Sequence, residues 1–345
     1  MRVQLTDVQP GDRLAEDIFT EQGLHVLSRG TVIQERDLHR LHQLRIDDVE
    51  IERRIAEEEG TTGFASQARL LPYYDDAVAG CELLFKRALE EGQLRGGDVE
   101  ASFQPLVDQV KTERDVVSLL LILNNRDDYT YQHSVQVGML SYYLAKWSGW
   151  DEEETTQAGK AGFLHDIGKC RIPDSILNKP GKLTDEEFDE VRRHSVYGFE
   201  IIRASFGEGV AATAALQHHE RLNGEGYPYR LTAERIEPIS RIVAIADVYS
   251  AMISDRSYRD KLDMLTVLKK LYQLSFRELD PHMTQTFIRH MLPNFIGKKV
   301  EMVNGETGIV VMNHPTLLFH PLVRVGDKFV DSSVDRSFEI KQVFL

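Results

Sequence analysis

A chain of 345 residues is long enough to bury a sizeable core and to form more than one folding unit, and 42% hydrophobic residues argue against disorder. A formal net charge of −14 disfavours broad nucleic-acid binding, which needs Lys and Arg to neutralise phosphates, yet leaves room for a small anion held by a local cluster of cations or metal ions. No apolar run approaches the roughly 18 residues of a membrane span, the Met1–Leu5 start lacks the basic and apolar regions of a signal peptide, and Cys81 and Cys170 form neither a disulfide framework nor a CxxC site. A reducing, cytoplasmic setting is expected.

Residues 1–53 read as a small β-rich domain. Val3, Leu5, Val8 and Leu14 are spaced by polar residues, and Gly23–Leu27, Gly30–Ile33 and Val49–Ile51 are short segments divided by turn residues. A short helix is expected over 35–45, where Leu38, Leu41 and Leu44 share a side. Residues 54–71, charged and then rich in Gly and Thr, read as a linker. From 72 to 293 helical periodicity dominates. Tyr131–Lys146 carries His133, Val137, Leu140 and Leu144 on one stripe. Further helices are expected over 184–205, opened by the capping-box sequence Thr184-Asp185-Glu186-Glu187, and over 208–221, 238–254, 262–276 and 283–292. Residues 294–345 turn β-rich again: Val300–Val303 and Gly308–Val311 flank Asn304-Gly305, a hairpin signal, and Leu322–Val325 and Phe338–Ile340 read as strands. The fold class is mainly α: an all-helical domain with a small β-rich N-terminal domain and a β-rich C-terminal extension.

The chemistry sits in the helical region. It comprises His133, the run His165-Asp166-Ile167-Gly168-Lys169, His194, the run His218-His219-Glu220 followed by Asn223-Gly224-Glu225-Gly226-Tyr227-Pro228, and Asp247 within Ile242–Tyr249. Imidazole nitrogens and carboxylate oxygens together suit first-row divalent metals such as iron, manganese and zinc. If His165 and Asp166 share a helix, they point about 100° apart and Lys169 lies one turn beyond His165 on the same face. Asp247 stands in an apolar run, so it is expected to be buried and to need a cation, either a metal or an arginine such as Arg241. Each piece alone has a bland reading as a packed or capped core residue. The ordered set does not.

That order, with Gly226-Tyr227-Pro228 after the double histidine, resembles the HD-GYP family over roughly residues 115–293. The likeness includes Leu164–Lys169, Ile172-Pro173, Ile176–Pro180, Asp255–Arg259 and Leu279-Asp280-Pro281. The resemblance implies an all-helical HD-GYP domain that hydrolyses cyclic di-GMP to pGpG, with a second round to GMP, by attack of a hydroxide bridging two metals. It implies that His133, His165, Asp166 and Asp247 ligate one metal and His194, His218 and His219 the other, with Asp166 bridging. Asp166 and Lys169 would be catalytic, and Lys169, Arg256, Arg259, Gly226 and Tyr227 would contact substrate. Iron is the metal implied first, manganese next.

The chain departs from the family in three places. Tyr129 stands where some members carry a glutamate for a third metal, so two metals are expected. Asn223 replaces an aspartate of the signature, and Ser250 stands where many members have an aspartate. Residues 1–53 also resemble a small domain found ahead of HD-GYP domains. The partners implied are cyclic di-GMP, diguanylate cyclase domains docking on the signature loop, and a second copy of the chain. The rival reading is a weakly active or inactive receptor and interaction module; a complete ligand set speaks against it.

Overall fold

The computed structural model describes the chain except residues 52–61, 112–128 and 254–262, several residues among the first 47, and residues 315 and 345. The described chain divides into two units, Met1–Thr62 and Gly63–Leu345. The first unit pairs β1 (Arg2–Gln4) with β4 (Asp48–Glu50), and β2 (Ile18–Phe19) with β3 (His25–Leu27), all antiparallel, around Val8, Leu14, Ile18, Val26, Ile33, Leu41, Val49 and Ile51. Most of the 35–45 helix expected from sequence lies outside the described residues.

In the second unit α1 (Thr62–Glu91) begins inside the stretch read as a linker, so the linker reading of 54–71 is too long at its C-terminal end. The helix runs back because Leu70, Tyr74, Ala77, Cys81 and Leu84 recur at helical spacing and are all buried. α2 (Gly96–Val110) follows, and then α3 (Tyr129–Trp147) and α4 (Glu152–Leu164), which form the tightest helix pair. Their closeness has a cause in sequence. A Cβ on Gly162 would stand 2.7 Å from the Val137 carbonyl oxygen, and one on Gly138 would stand 3.0 Å from the Phe163 Cβ. Small residues at these points let α3 and α4 approach until His133 and His165 face one another. α3 is buried nearly all round, which marks it as a central helix rather than a surface one.

Two readings of the helical region are corrected. The 184–205 stretch is two helices, α6 (Asp185–Arg192) and α7 (His194–Phe206), with Arg193 at the junction. The capping box at Thr184 is formed, and α6 is short and largely exposed; α7 turns inward and buries His194, Ser195, Gly198, Ile201 and Ile202. The His165–Lys169 run is likewise not one α-helix. α4 ends at Leu164, Asp166 has φ −98° and ψ 5°, and Ile167–Arg171 is a 3₁₀ turn. After a short turn of helix, α5 (Asp174–Leu177), and the pair α6–α7 come α8 (Val210–Gln217), α9 (Pro238–Ile253), α10 (Met264–Leu274) and α11 (Pro281–Met291). α9 is buried on most sides, as its apolar sequence requires.

The C-terminal strands β5 (Lys299–Met302), β6 (Thr307–Met312), β7 (Leu322–Val325), β8 (Lys328–Asp331) and β9 (Ile340–Phe344) form one antiparallel sheet in the order β8-β7-β6-β5-β9. Asn304-Gly305 makes the β5–β6 turn, with Gly305 at φ +85° as such a turn demands. Val300, Met302, Val310, Val323 and Ile340 join the same apolar core as the helices, and Lys269 on α10 bonds to Glu339 and the Ile340 carbonyl. No helix of the described residues is long and apolar enough to cross a membrane.

Candidate metal centre

The seven residues singled out as ligands come from five places in the chain and meet in the buried heart of the helical unit. Asp166, His194, His218 and His219 present ligand atoms within 4.8 Å of one another, and so do His133, His165 and Asp247. Asp166 lies between the two groups. Its Oδ1 is 3.3 Å from His194 Nε2, while its Oδ2 is 3.3 Å from His165 Nε2 and 3.7 Å from His133 Nε2. The break in the helix after Leu164 is what lets adjacent His165 and Asp166 aim at one point, which a continuous helix forbids. Asp247 faces His133 at 3.1 Å, His219 at 3.6 Å and His165 at 3.9 Å. Arg241 instead pairs with Asp280, at 3.1 Å.

Three of the imidazoles share one device. His165, His194 and His218 sit at helix ends, and their Nδ1 atoms lie 2.6, 2.6 and 2.8 Å from the carbonyl oxygens of Gly162, Val191 and Ala215, each three residues back. A carbonyl only accepts, so each Nδ1 carries the proton and, in the neutral ring, Nε2 is left with a lone pair aimed into the site. His133 differs: its Nε2 lies 3.1 Å from Asp247 Oδ1, and a side chain holds its other nitrogen. The Ser250 hydroxyl donates to Gln136 Oε1 at 3.0 Å, so towards His133 Nδ1, also at 3.0 Å, it accepts. Ser250 therefore anchors the His133 ring rather than leaving a gap where an acid was expected. Replacing Ser250 with Ala is predicted to weaken metal retention roughly 10- to 100-fold. Metal content after dialysis against graded chelator reads this; an unchanged content would contradict it.

The electrostatics follow from burial. Desolvation pushes His133, His218 and His219 down, and His194 down to about 4, so these rings are neutral near pH 7. His165 moves up instead: burial opposes its charge, but neighbouring Asp166 outweighs that. Burial also opposes charge on Asp166 and Asp247. His165 and Lys169 around the first, and His133 and His219 around the second, nevertheless hold both well below the usual carboxylate range. Lys169 Nζ is 2.5 Å from Asp166 Oδ2, placing a fixed cation at the centre.

This donor set fits divalent metal. His194 Nε2 and His218 Nε2 stand 3.2 Å apart with their lone pairs turned towards each other, an arrangement that repels until a cation lies between them. His165 Nε2 and Asp166 Oδ1 are buried and make no hydrogen bond among the described residues. Buried polar atoms left without hydrogen bonds are costly, and a metal ion removes that cost.

The signature loop leans on the centre. The Tyr227 N–H donates to the His219 carbonyl at 3.2 Å, and the Tyr227 ring lies 4.6 Å from the His219 ring. A Cβ on Gly226 would come within 2.4 Å of Arg221 N and 2.5 Å of the His219 oxygen, so only glycine allows the loop this close. Outside Tyr227 opens a cavity of 610 Å³ between the loop and the α6–α7 junction. Arg256 and Arg259, expected to touch substrate, lie outside the described residues.

Sequence reasoning quoted Glu220 without giving it a role. Its buried carboxylate accepts from the N–H groups of Tyr229 (2.7 Å) and Leu231 (2.8 Å), clasping the far leg of the loop. Its place directly after two ligands, in a stretch that had to be buried, was the available signal. Glu220→Ala is expected to cost about 1–3 kcal/mol through the unsatisfied N–H groups; urea denaturation measures it, and an unshifted midpoint would contradict the role.

A helical unit whose core converges two His/Asp clusters on one buried carboxylate has side chains that could hold metal ions. Residues 118–283 match the HD domain family. It is 37% identical over 207 residues to a cyclic di-GMP phosphodiesterase of Pseudomonas aeruginosa, covering 60% of this chain and 50% of the relative. It is 34% identical over 191 residues to a 3'3'-cGAMP-specific phosphodiesterase of Vibrio cholerae (54% and 44%), and 38% identical over 178 residues to a cyclic di-GMP phosphodiesterase of Thermotoga maritima (51% and 48%). The chain thus spans about half the length of the curated relatives it matches. A solved structure described as an HDG"Y"P protein, from Bdellovibrio bacteriovorus, superposes with a TM-score of 0.52 at 19% identity, covering 83% of this chain and 97% of that one; the likeness is one of fold.

Proposed function

We propose that this protein is a metal-dependent phosphodiesterase of the HD-GYP branch that opens cyclic di-GMP to linear pGpG and, in a second round, converts pGpG to GMP. The observation that carries the reading is the set of three histidines, His165, His194 and His218, whose Nδ1 protons are committed to backbone carbonyls, turning Nε2 towards Asp166. His133, His165 and Asp247 would hold one metal and His194, His218 and His219 a second, with Asp166 shared; iron is the first choice and manganese the next. Bound metal supplies Lewis acidity at the phosphoryl oxygens and a water of lowered pKa.

The chain's own residues do the rest. The Nδ1 acceptors orient the rings, and Asp166 and Asp247 bring the negative charge that a divalent pair demands. Lys169 sets a cation where charge builds on the phosphoryl oxygens. Tyr227 closes the side towards the loop; burial raises its phenol, so it remains a neutral hydrogen-bond donor. The names of the Pseudomonas and Thermotoga relatives support cyclic di-GMP as substrate. The Vibrio relative named for 3'3'-cGAMP makes that molecule the substrate to compare. Diguanylate cyclase domains, docking on the loop, and a second copy of the chain are the proposed partners.

Chromatographic assay of cyclic di-GMP with metal-loaded protein tests the activity. Appearance of pGpG supports it. Binding without turnover, at full metal content, would favour a receptor.

A further inference from the structure

The cavity outside Tyr227 takes no part in the centre just described, yet one of its walls is the ring that packs on His219. Its other walls carry a mixture of charges: the cations of Arg192, Arg193 and Arg230 and the carboxylates of Asp189 and Glu225. Arg192 is held through its side chain and Arg230 through its backbone. Arg192 has its guanidinium carbon 4.5 Å from the Phe188 ring and 5.5 Å from the Tyr227 ring, and donates to Asp189 at 2.9 Å. Arg230 has φ +53°, a left-handed conformation that costs a non-glycine residue free energy, and Glu220 grips the N–H groups on both sides of it.

Glu225 is exposed but not loose. The Asn223 side-chain NH₂ donates to Glu225 Oε2 at 2.6 Å, and the Glu225 N–H donates back to Asn223 Oδ1 at 3.1 Å. An aspartate at 223 would repel that carboxylate; asparagine steadies it. Asn223 also pairs with Thr232 across the neck of the loop, so Glu225 and Arg230 ride on opposite legs of one closed turn.

We propose that this cavity seats one guanine base of the cyclic dinucleotide. Arg230 donates to the O6/N7 edge, Glu225 accepts from N1–H and the 2-amino group, and the Arg192–Tyr227 wall supplies a flat, cationic face for the ring to stack on. Guanine offers acceptors at O6 and N7 and a donor at the 2-amino group, whereas adenine offers a donor at N6 and lacks the 2-amino group. An arginine set against a carboxylate therefore selects guanine. The inference rests on the phosphodiesterase reading and adds to it the residues that choose the base.

Both equilibrium binding and kcat/KM of cyclic di-GMP, 3'3'-cGAMP and cyclic di-AMP would be measured with metal-loaded wild type, Glu225→Gln, Glu225→Ala and Arg230→Ala. Wild type is expected to favour the guanine-containing molecules. Glu225→Ala and Arg230→Ala are expected to reduce the preference for cyclic di-GMP over cyclic di-AMP roughly tenfold or more, with Glu225→Gln between them and wild type. A preference unchanged within about twofold in both alanine variants would overturn the base pocket while leaving the phosphodiesterase reading intact. Wild type that neither binds nor hydrolyses any of the three would overturn both.

Discussion

Replacing Asp166 with Ala is expected to abolish turnover and metal pairing together. Asp166 is buried to 1% exposure and lies within 4.0 Å of His133 and His165 on one side and of His194 and His218 on the other. Asp247 is no substitute among the described side chains: it faces His133, His165 and His219, whereas Asp166 alone stands beside His194 and His218. Loss of the carboxylate also strands Lys169, whose ammonium then stands close to the ligands with no counter-charge from Asp166. Turnover should fall roughly 10³-fold or more, and metal content should drop below two per chain. Asp166→Asn, nearly the same shape without the charge, separates charge from packing; it should stay folded and lose activity almost as fully. An Asp166→Ala protein that hydrolyses substrate without metal would refute the scheme.

Gly168→Ala should be nearly as damaging, by geometry alone. A Cβ at this position would lie 2.0 Å from the His194 carbonyl oxygen and 2.4 Å from Gly198 N, both backbone atoms that cannot swing aside. The 3₁₀ turn that follows Asp166 is pressed against the first turns of α7, and only glycine permits it. Pushing α7 away moves His194 off Asp166 (3.3 Å) and His218 (3.2 Å), so one added methyl should disperse a metal cluster. A stability loss of about 1–3 kcal/mol or more is expected, read as a lower urea midpoint, together with loss of metal. A variant with unchanged midpoint and metal content would show that the α7 contact does not position the centre.

Much of this was legible in the chain because the chemistry is carried by residue types that seldom gather by chance. His133, the His165-Asp166 pair, His194, the His218-His219 pair and Asp247 announce themselves by type and order, and the structure brings all seven together. The long buried helices were legible from their spacing, and the β5–β6 hairpin from Asn304-Gly305. What periodicity could not give was where helices stop for tertiary reasons. His165 and Asp166 straddle a helix end, and Arg193 divides α6 from α7, so that ligands can turn inward. Neither break carries a proline, nor a glycine at the break itself. The supporting residues were hidden for a related reason. Gln136 and Ser250, more than a hundred residues apart, matter only because α3 and α9 set them together behind His133. Ser250 stands in sequence only as a departure from the family's aspartate; in the fold it bonds to both Gln136 and His133. Arg241, a plausible mate for Asp247 by sequence, goes to Asp280 instead.

The most direct test is made on one sample of anaerobically purified protein, with metal counted by elemental analysis and cyclic di-GMP turnover followed by chromatography. The account predicts about two metals per chain, within the range such His/Asp sets hold, conversion to pGpG or GMP, and loss of both on chelation with recovery on adding metal back. Turnover that persists in protein stripped of metal, or a fully metallated protein that leaves cyclic di-GMP intact, would contradict it.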